Sequence, residues 1–592
     1  MLRTHTCGEL SAKNKEKNVI LAGWVHSRRD HGGIIFIDLR DRYGITQIAF
    51  DPKISKQSWD LADKTRSEWV IQVEGKVVLR PKNMINKKLK TGDIEIDCHD
   101  IKIFSKSKTP PFEISEEKSN IMNEEVRLKY RYIDLRRKRM LKNLILRSKT
   151  SKLIRDYFYK NNFIDIETPS LIKDTPEGSR EYLVPSRIYQ GSFYVLPQSP
   201  QQLKQLLMVA GVDKYFQIAK CFRDEDLRGD RQPEFTQFEI EMSFAEQKDI
   251  IKMMEECFIE ISKKIVPKKK ILKIPFPIME WKDAMLYYGS DKPDIRYDLK
   301  IKPITEMVKG CGFAVFANVI KQGGVVNALK IDNGAKFSRS EIDNLTRMAI
   351  DNGAKGLAYI VIKKDNTFQS PIVKFLGEDL VKKIVIEVNA KAGDIIFFGA
   401  DEFITVCDSL GAVRVECAKM LKIIPENLFA YLWVVDFPLF VKSKETGDLV
   451  SAHHLFTMPI KEDLKLLDKN PEKVRSHAFD LVLNGVEVGG GSMRIYEKEL
   501  QEKIFKILNI SKKDAERRFG HLLKAFEFGV PPHGGIAMGL DRFVMLLADE
   551  PNIREVMAFP KDGKARDLML DTPAKVDQKM LKDLGIKIDL DM

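Results

Sequence analysis

The sequence lacks the cysteine spacing of a zinc site or a disulfide framework. Its seven cysteines are scattered over 592 residues, and no two of them form a CxxC pair. Zinc ribbons need such closely spaced pairs, and disulfide scaffolds need many cysteines in a short secreted chain. We therefore expect no structural zinc and no disulfides, and we place the protein in the reducing cytoplasm.

Apolar segments long enough for targeting or membrane insertion are missing as well. The N-terminal stretch MLRTHTCGELSAKNKEKN is polar and contains no signal-peptide core. No run approaches the ~20 apolar residues of a membrane helix. The signature GxxxxGK[ST] is also absent, which excludes P-loop phosphate chemistry. The sequence thus predicts a soluble, cytoplasmic protein with no membrane partner.

Positive charge is in excess. The chain has 98 Lys and Arg against 85 Asp and Glu, a net charge of +13. This balance favours a polyanionic partner such as nucleic acid, although a basic soluble enzyme would show it too. The hydrophobic fraction is 44%, so the chain has ample core, and its length predicts about three or four domains.

Residues 1–105 have the pattern of a small all-β domain. Five β-rich runs and one helical stretch, at about residues 56–66, are typical of an OB-fold barrel. Such barrels bind single strands by stacking bases on exposed aromatic side chains beside basic groups. Phe36 and Gln47 lie on neighbouring predicted strands, close to Arg28 and Arg29. Phe36 is either such a stacking residue or a core residue. The five predicted strands are Val19–Val25, Ile34–Leu39, Ile45–Phe50, Trp69–Leu79 and Ile94–Phe104.

The rest of the chain alternates helical and β patterns. Residues 106–137 are Lys- and Ser-rich and end in RLKYRYIDLRRKR, which we interpret as a basic linker or hinge. Helical spacing then covers Arg139–Asn162, and the β-rich string FIDIETPSL follows. Residues 138–285 and 416–592 form one predicted α+β domain. Residues 286–415 form an inserted α/β domain whose predicted strands are FAVFAN, VNALKI, GLAYIVI and DIIFFGA.

The segment FRDEDLRGDRQPEFTQFEIE carries the clearest chemical signal. Charged residues surround a turn, and alternating apolar residues follow it, which predicts two strands joined by a charged loop. An arginine fork grips phosphate, a carboxylate accepts from an exocyclic amine, and an aromatic face covers a base. The hairpin is therefore a candidate nucleotide site.

Three strings in this order resemble the three motifs of class II aminoacyl-tRNA synthetases. They are the helix with FIDIETPSL and its Pro169, then FRDED…RQPEFTQFEIE, then GIAMGLDR. The surrounding strings TPEGSREYLVPS, LPQSPQQLKQLL, YGSDKPD, AHHLFTMP and NGVEVGGGSMRI are similar to those of the bacterial-type aspartyl group. The resemblance covers essentially the whole chain. It implies a class II antiparallel-sheet domain in an α+β multidomain protein, an OB-fold anticodon-binding domain at residues 1–105, and a homodimer.

The resemblance implies that aspartate attacks the α-phosphorus of ATP, and it distributes the nucleotide contacts. Arg223 would bind the α-phosphate and Arg542 the γ-phosphate, and these are the candidate catalytic residues because guanidinium forks stabilise charge at phosphorus. Mg²⁺ would be held by Asp480 and Glu487. The implied ATP-binding set is Arg223, Asp224, Glu225, Gln232, Phe235, Glu487, Gly539, Leu540, Asp541 and Arg542.

A second set of residues would select the amino acid. Lys204 and Arg494 would bind the side-chain carboxylate, and His453 would lie over the substrate, whereas we interpret the neighbouring His454 as a packed histidine. Two positions depart from the common family pattern: Glu239 replaces Asp, and Leu455 replaces Pro. Because Glu239 keeps its charge, we expect activity to survive. The implied aspartate-binding set is Glu177, Gln201, Lys204, Arg223, Glu239, His453 and Arg494.

The barrel residues raise the question of tRNA choice. Arg29, Phe36 and Gln47 match the positions with which the family reads the anticodon. His31 stands where strictly discriminating members often have Leu, and Asn83 lies in the loop where they have Lys. This pattern favours charging of tRNA(Asp) and also tRNA(Asn), although drift at a surface turn would explain it too.

Three alternatives remain. A non-catalytic tRNA-binding paralogue would keep the barrel, but it would lose motif residues such as Arg223 and Arg542, which are present here. An asparagine-forming relative that needs no tRNA would lack the barrel. A strictly discriminating aspartyl-tRNA(Asp) synthetase differs from the preferred interpretation only in tRNA choice.

Overall fold

The computed structural model of the protein describes residues 1–114, 122–174, 178–443 and 446–589. The chain divides into two compact units, Met1–Ile145 with Ala558–Pro573, and Leu146–Met557 with Ala574–Met592. Within the described ranges, no helix combines the length and the apolar character needed to cross a membrane.

The first unit contains a closed five-stranded barrel with strand order β1-β2-β3-β5-β4. Inward side chains alternate with outward ones, so that Ile35, Ile37 and Leu39 are buried while Phe36 and Asp38 point outward. This period of two is why the sequence reveals the strands, and the predicted OB-fold barrel is confirmed. Its elements are β1 (Asn18–His31), β2 (Ile34–Arg40), β3 (Ile45–Phe50), α1 (Lys56–Lys64), β4 (Val70–Leu79) and β5 (Ile94–Ser105).

The segment predicted as a linker contains a buried charge cluster. Two short helices, α2 (Glu124–Lys129) and α3 (Arg131–Asp134), form there. The Asp134 carboxylate, which is fully buried, pairs with Arg127 at 3.1 Å, Arg131 at 2.7 Å and Arg137 at 2.9 Å. Part of the basic run RLKYRYIDLRRKR is therefore structural, because its arginines surround one carboxylate and are not all available to phosphate.

We expect Asp134→Asn to destabilise this segment by about 3–5 kcal/mol, because buried arginines would lose their anion. Burial alone would raise the pKa of Asp134, but Arg127, Arg131 and Arg137 outweigh it and lower that pKa. The stabilisation is therefore present at neutral pH and is lost as the pH falls below about 4. Hydrogen exchange of residues 124–137 in both proteins at several pH values measures it. Asp60→Asn, in the exposed Lys56–Asp60 pair, is the control and should cost under about 1 kcal/mol.

The second unit is built on an eight-stranded sheet with order β12-β19-β22-β23-β24-β10-β9-β6. All its pairings are antiparallel except the two at its edges, β6 with β9 and β12 with β19. The predicted hairpin is confirmed, since β9 and β10 pair with Phe222 opposite Glu234. The strands are β6 (Ile164–Asp165), β9 (Lys214–Phe222), β10 (Glu234–Ser243), β12 (Ile278–Glu280), β19 (Tyr431–Val435), β22 (Ala478–Leu483), β23 (Val486–Met493) and β24 (His533–Gly539).

Helices cover the sheet and bury its apolar residues. One hydrophobic core contains Phe158, Phe238, Phe258 and Phe543. Three helices and strand β10 contribute these side chains. The predicted helix at Arg139–Asn162 is confirmed as Lys138–Lys160, whereas FIDIETPSL forms only the two-residue strand β6. The helices are α4 (Lys138–Lys160), α5 (Gln201–Val209), α6 (Gln247–Ile265), α7 (Trp281–Tyr288), α13 (Lys498–Ile507), α14 (Lys512–Ala525), α15 (Leu540–Ala548) and α16 (Gln578–Asp583).

The inserted segment forms a separate five-stranded sheet with order β13-β14-β17-β15-β16 and helices packed on it. Three of its four predicted strands are confirmed. The strand predicted for FAVFAN is wrong, because Ala314–Lys321 is a helix in which only Phe316 is buried. Its β-branched and aromatic residues are common in strands, which is why the sequence predicted one. The elements are β13 (Ile301–Pro303), α8 (Ala314–Lys321), β14 (Val325–Ile331), α9 (Arg339–Asp351), β15 (Ala358–Ile362), β16 (Phe368–Gln369), α10 (Val373–Leu376), α11 (Glu378–Glu387), β17 (Ile395–Asp401) and α12 (Phe403–Met420).

Short strands in the connections complete the second unit. They form three two-stranded sheets outside the main sheets. They are β7 (Leu183–Pro185), β8 (Phe193–Val195), β11 (Lys270–Ile271), β18 (Leu428–Phe429), β20 (Phe440–Lys442) and β21 (Leu449–Ser451).

Candidate functional site

A cavity of about 460 Å³ lies on the eight-stranded sheet of the second unit. Strands β10, β22, β23 and β24, the loop between β9 and β10, and the first residues of α5 and α15 supply its walls. Residues separated by more than 300 positions meet here because β10 pairs with β24, and β24 pairs with β23. Of the predicted residues it gathers Gln201, Lys204, Arg223, Glu225, Gln232, Phe235, His453, Asp480, Glu487, Arg494, Gly539, Asp541 and Arg542.

Arg223 and Phe235 lie beside each other at the loop end of the hairpin. The Arg223 guanidinium carbon lies 5.1 Å from the centre of the Phe235 ring. Its Nε is buried without a hydrogen-bond partner, and no described carboxylate lies within ion-pair distance of this side chain. An arginine held beside an aromatic ring and free of a carboxylate can bind an anion.

Glu225 is more constrained than the sequence suggested. One carboxylate oxygen pairs with Arg231 Nη1 at 2.8 Å, and the other accepts from the Ser179 hydroxyl. Asp224 does not line the cavity, because its backbone forms a bridge with Arg180 outside it. The two neighbouring carboxylates of the hairpin loop thus have different surroundings, and only Glu225 reaches the cavity.

Arg542 lies near the Glu487 side of the cavity, at the start of α15. Its guanidinium pairs with Asp230 at 3.1 Å and donates to the Glu487 backbone carbonyl, also at 3.1 Å. The adjacent Asp541 accepts from the Thr236 backbone N–H at 2.7 Å and pairs with Arg147. Leu540 belongs to the apolar core and does not line the cavity.

Four buried charges form a network at another part of the wall, and we call it the charge quartet: Lys204, Glu239, Glu241 and Arg494. Lys204 Nζ lies 3.0 Å from Glu239 and 3.4 Å from Glu241. Arg494 binds Glu241 through two nitrogens, at 2.9 and 3.3 Å. Burial alone would raise the pKa of Glu241, but Arg494 and Lys204 outweigh it and lower that pKa. The quartet therefore combines two carboxyl groups with two basic side chains.

Glu239 stands behind the cavity wall, not in it. It is fully buried and touches Lys204, whereas the cavity itself is lined by Lys204 and Gln237. Within the described part of the chain, neither Glu239 oxygen has a hydrogen-bond partner with acceptable geometry. Glu239, predicted to bind the substrate, therefore does not line the cavity itself, and its link to the cavity is its pair with Lys204.

Carboxylates gather on the β22–β23 side of the cavity. Asp480 is buried, and its Oδ1 has no hydrogen-bond partner among the residues that the structure describes. Burial, followed by the nearby charges of Glu487 and Asp291, raises the pKa of Asp480 well above its usual value. No group of three or more ligand side chains close enough to form a metal cage occurs in the part of the chain that the structure describes. This arrangement suits a hard cation that takes one or two protein carboxylates and obtains its other ligands elsewhere.

His453 and His454 both line the cavity, but only His453 was predicted there. His453 packs edge-on against Phe437 with ring centres 4.4 Å apart, and burial lowers its pKa. His454 Nδ1 accepts from the Phe456 backbone N–H, and burial with nearby Arg494 lowers its pKa to about 3. His454 is therefore neutral, and its buried Nε2 has no partner.

Some residues that line the cavity were not predicted from the sequence, and one predicted residue cannot be placed. Gln237 lines the cavity, as its alternation with Phe235 allows, and Asp291 lines it from a loop that the sequence assigned to the insert. Gln201 lines it too, and its Nε2 is buried without a partner. Gln232 is buried. The predicted Glu177 lies outside the described residues.

The barrel of the first unit carries a second group of predicted residues on its outer face. Arg29 donates to Asp38 at 3.1 Å and to Gln47 at 3.2 Å. Arg29 is the partner of Phe36 in the β1–β2 ladder. Because Phe36 points outward and is only half-buried, the core interpretation of this residue is excluded. His31 and Asn83 are exposed, at the end of β1 and in a short 3₁₀ turn.

Two family models match the chain. The model of class II tRNA synthetases (D, K and N) matches residues 123–563. The model of the OB-fold nucleic acid binding domain matches residues 19–104. Together they cover both the barrel and the sheet that carries the cavity.

Curated relatives are similar over the whole chain. "Aspartate–tRNA(Asp/Asn) ligase" of Desulfatibacillum aliphaticivorans is 49% identical, covering 100% of this chain and 98% of its own. The protein of the same name from Bacillus subtilis is 48% identical, covering 99% and 98%.

Solved structures share the fold at low sequence identity. Asparaginyl-tRNA synthetase from Pyrococcus horikoshii, complexed with asparaginyl-adenylate, has a TM-score of 0.58 and 17% identity, over 95% of this chain and 98% of that one. Aspartyl-tRNA synthetase from Entamoeba histolytica has a TM-score of 0.56 and 19% identity, over 94% and 90%.

Proposed function

This chain belongs to the class II tRNA synthetases of the D, K and N group, and from that premise we propose that it is an aspartate–tRNA ligase. It activates L-aspartate with ATP and transfers it to the 3′ end of tRNA(Asp). The charge quartet carries the choice of amino acid, because Lys204 and Arg494 present two buried cations to one cavity. A lysine substrate would need a carboxylate in their place.

The proposed first step joins two anions, so positive charge must be placed around phosphorus. A substrate carboxylate oxygen attacks the α-phosphorus, and the bond from that phosphorus to the bridging oxygen breaks as pyrophosphate leaves. Arg223 contacts the α-phosphate, because no carboxylate of the described residues pairs with its guanidinium and its buried Nε has no hydrogen-bond partner among them. Phe235 covers the base beside it. No side chain acts as a nucleophile, so catalysis depends on positioning and charge stabilisation.

Other residues hold the remainder of the nucleotide. Arg542 contacts the γ-phosphate, for which it exchanges its weak pairing with Asp230. Glu225 accepts from the adenine amine, and Gln232 contacts the nucleotide. Asp541 acts indirectly, because its carboxylate is already engaged by Thr236 and Arg147.

Mg²⁺ accompanies ATP in this proposal. Asp480 and Glu487 would hold it, and the buried Asp480 oxygen without a partner fits this role. When bound, the cation supplies positive charge to the phosphate oxygens. The protein's part is to present these two carboxylates beside Arg542, whose Nη1 lies 3.8 Å from Glu487.

The amino acid is held by neutral and charged groups together. Arg494 and Lys204 bind its side-chain carboxylate, and the neutral His454 donates through Nε2. His453 lies over the substrate, and Gln201 binds near its ammonium group. A neutral histidine at this place does not titrate near physiological pH, so its contact is constant there.

Aspartate-dependent ATP–pyrophosphate exchange tests this assignment directly. The purified protein should exchange with L-aspartate and show no exchange with L-lysine or L-asparagine at equal concentration. Exchange with either of those instead, or none at all, would overturn the proposal. A non-catalytic paralogue would bind tRNA and give no exchange.

Glu239 acts through Lys204, and its length sets that contact. We expect Glu239→Asp to keep exchange activity while raising the KM for aspartate by no more than about 10- to 200-fold, because charge is retained and one methylene is worth about 1–3 kcal/mol at most. Glu239→Gln should raise that KM more than Glu239→Asp does, since Lys204 loses one anion and the quartet's balance changes. Steady-state exchange at varied aspartate measures both. Equal effects of the two substitutions would contradict this role.

We also propose that tRNA(Asn) is a substrate. His31 on the exposed turn, with Arg29, Phe36 and Gln47 on the adjoining outer face, supports this choice. Charging of purified tRNA(Asp) and tRNA(Asn) transcripts with labelled aspartate is the test. A rate with tRNA(Asn) below one hundredth of that with tRNA(Asp) would support the strictly discriminating alternative.

A homodimer completes the proposal. The strand β6 lies at the sheet edge with Ile164 about half exposed, and Leu171 nearby is also exposed. An edge with apolar side chains favours cover by another chain. Light scattering should give twice the mass of one chain, and Ile164→Lys should lower it toward the monomer.

A further inference from the structure

The loop of residues 289–299 brings one more carboxylate to the catalytic cavity. It follows helix α7 and leads to strand β13, so it joins the main sheet to the inserted sheet. Asp291 on this loop lines the cavity together with Asp480 and Glu487. The resemblance to the family gave Asp291 no role, and the sequence placed it inside the insert.

Arg414, on helix α12 of the insert, binds the backbone of this loop. Its guanidinium donates to three loop carbonyls, among them Asp294 at 2.8 Å and Tyr297 at 3.2 Å. It lies 4.8 Å from the Tyr288 ring centre and 4.2 Å from that of Tyr297. Arg414 is almost fully buried, and no described carboxylate pairs with it. Its hydrogen bonds are therefore committed to the shape of the loop.

The start of the loop touches the same helix through two glycines. Gly289 has a φ of +66° and ends α7 in the left-handed region. A Cβ on Gly289 would lie 2.7 Å from the Gly411 Cα, and a Cβ on Gly411 would lie 2.4 Å from the Gly289 carbonyl oxygen. Such a close approach leaves the loop little freedom to move away from α12.

We propose that Arg414 is a positioning residue through which helix α12 of the insert sets Asp291 beside Asp480 and Glu487. Asp291 adds its negative charge to the place where the cation of Mg²⁺·ATP binds, without completing a metal cage. The insert then contributes to the binding of ATP. This inference rests on the proposed function, since it assigns a residue to the nucleotide step of that reaction.

A purely structural role for Arg414 makes a different prediction. Loss of a buried arginine that only supports the insert would lower the free energy of unfolding. It would also reduce the binding of every substrate by the same factor, with or without Mg²⁺. A positioning role acts through Asp291, so it changes ATP binding selectively and only when Mg²⁺ is present. The two roles are separated by a double-mutant cycle.

The experiment uses the full chain and isothermal titration with ATP in the absence of aspartate. In excess Mg²⁺, Asp291→Asn and Arg414→Met should each raise the Kd of ATP about 10-fold, the range seen when groups around metal ligands are removed. In EDTA, neither should weaken binding, because Asp291 then only repels the nucleotide. The Asp291→Asn/Arg414→Met double variant should match the weaker single variant within about twofold.

Controls and the opposite outcomes follow from the same design. Lys419→Ala, on an exposed part of α12, should leave the Kd unchanged, and Arg414→Lys should fall between the wild type and Arg414→Met. An about 100-fold loss in the double variant, or a normal Kd in Arg414→Met, would overturn the inference. If Arg414→Met does not fold, Asp291→Asn and Arg414→Lys decide through the same Mg²⁺ dependence. Wild-type protein without aspartate-dependent exchange would instead refute the proposed function.

Discussion

Arg494→Ala is expected to raise the KM for aspartate at least about 100-fold and to destabilise the second unit by about 3–5 kcal/mol. The substitution removes one of the two cations that face the substrate carboxylate in the proposed function. It also leaves Glu241, which is fully buried, with Lys204 at 3.4 Å as its remaining ion-pair partner. Exchange kinetics at varied aspartate and urea unfolding measure the two effects.

The control for this substitution is another arginine with a double contact. Arg475 binds Asp463 through two nitrogens, but its side chain is 44% exposed. Arg475→Ala should therefore cost no more than about 1 kcal/mol and leave the KM for aspartate unchanged. Arg494→Lys keeps the charge but loses the planar fork, so we expect an intermediate KM. An unchanged KM for aspartate in Arg494→Ala would show that the quartet does not select the substrate.

The pH dependence of the quartet has a defined sign. The pKa of Glu241 is lowered in the folded state, so its contribution to stability is present above the pKa of an unfolded glutamate, about 4.3. That contribution is lost as the pH falls through the folded value. Arg494→Ala should thus differ most from the wild type at neutral pH.

Arg223→Ala is expected to slow exchange by roughly 100- to 1,000-fold at saturating substrates, with little change in stability. Removal of one donor to a developing charge costs about 2.7–4 kcal/mol. Because no carboxylate of the described residues pairs with Arg223 and would be left unpaired, the unfolding free energy should change by less than about 1 kcal/mol. This combination of large kinetic and small thermodynamic effects separates Arg223 from Arg494.

Lys220→Ala is the matched control on the same hairpin. Lys220 pairs weakly with Glu234 at 3.5 Å, and its side chain is more than half exposed. It should exchange at the wild-type rate. Near-normal exchange in Arg223→Ala, measured beside this control, would refute the role of Arg223 at the α-phosphate.

The spacing of apolar residues along the sequence predicted much of the fold. Strand β2 alternates buried and outward residues, and the hairpin of β9 and β10 alternates after a charged turn, so a period of two was visible in both. The strand prediction for FAVFAN was wrong because six residues rich in Phe and Val are compatible with a strand or a helix. In the folded protein this segment is a helix that packs Phe316 against the insert sheet.

The site was harder to foretell, because it depends on which strands are neighbours. Glu241 follows Glu239 by two residues in one strand, so the same alternation would have placed both on one face. Asp291 gave no such signal, since it reaches the cavity only through the fold of a loop after α7. His454 looked like packing, and only the structure shows that its Nε2 is buried in the cavity without a partner.

The bond from the Thr236 backbone N–H to Asp541 has a consequence for the choice of nucleotide. Thr236 adjoins Phe235, and Asp541 adjoins Arg542, so this 2.7 Å hydrogen bond adds to the β10–β24 pairing in joining the two chain segments that carry these side chains. The backbone positions from which the Phe235 ring and the Arg542 guanidinium extend are therefore held at a set distance from each other. In the proposed complex a triphosphate spans the distance between these two groups, whereas a diphosphate is too short to reach Arg542, so ADP should compete poorly with ATP.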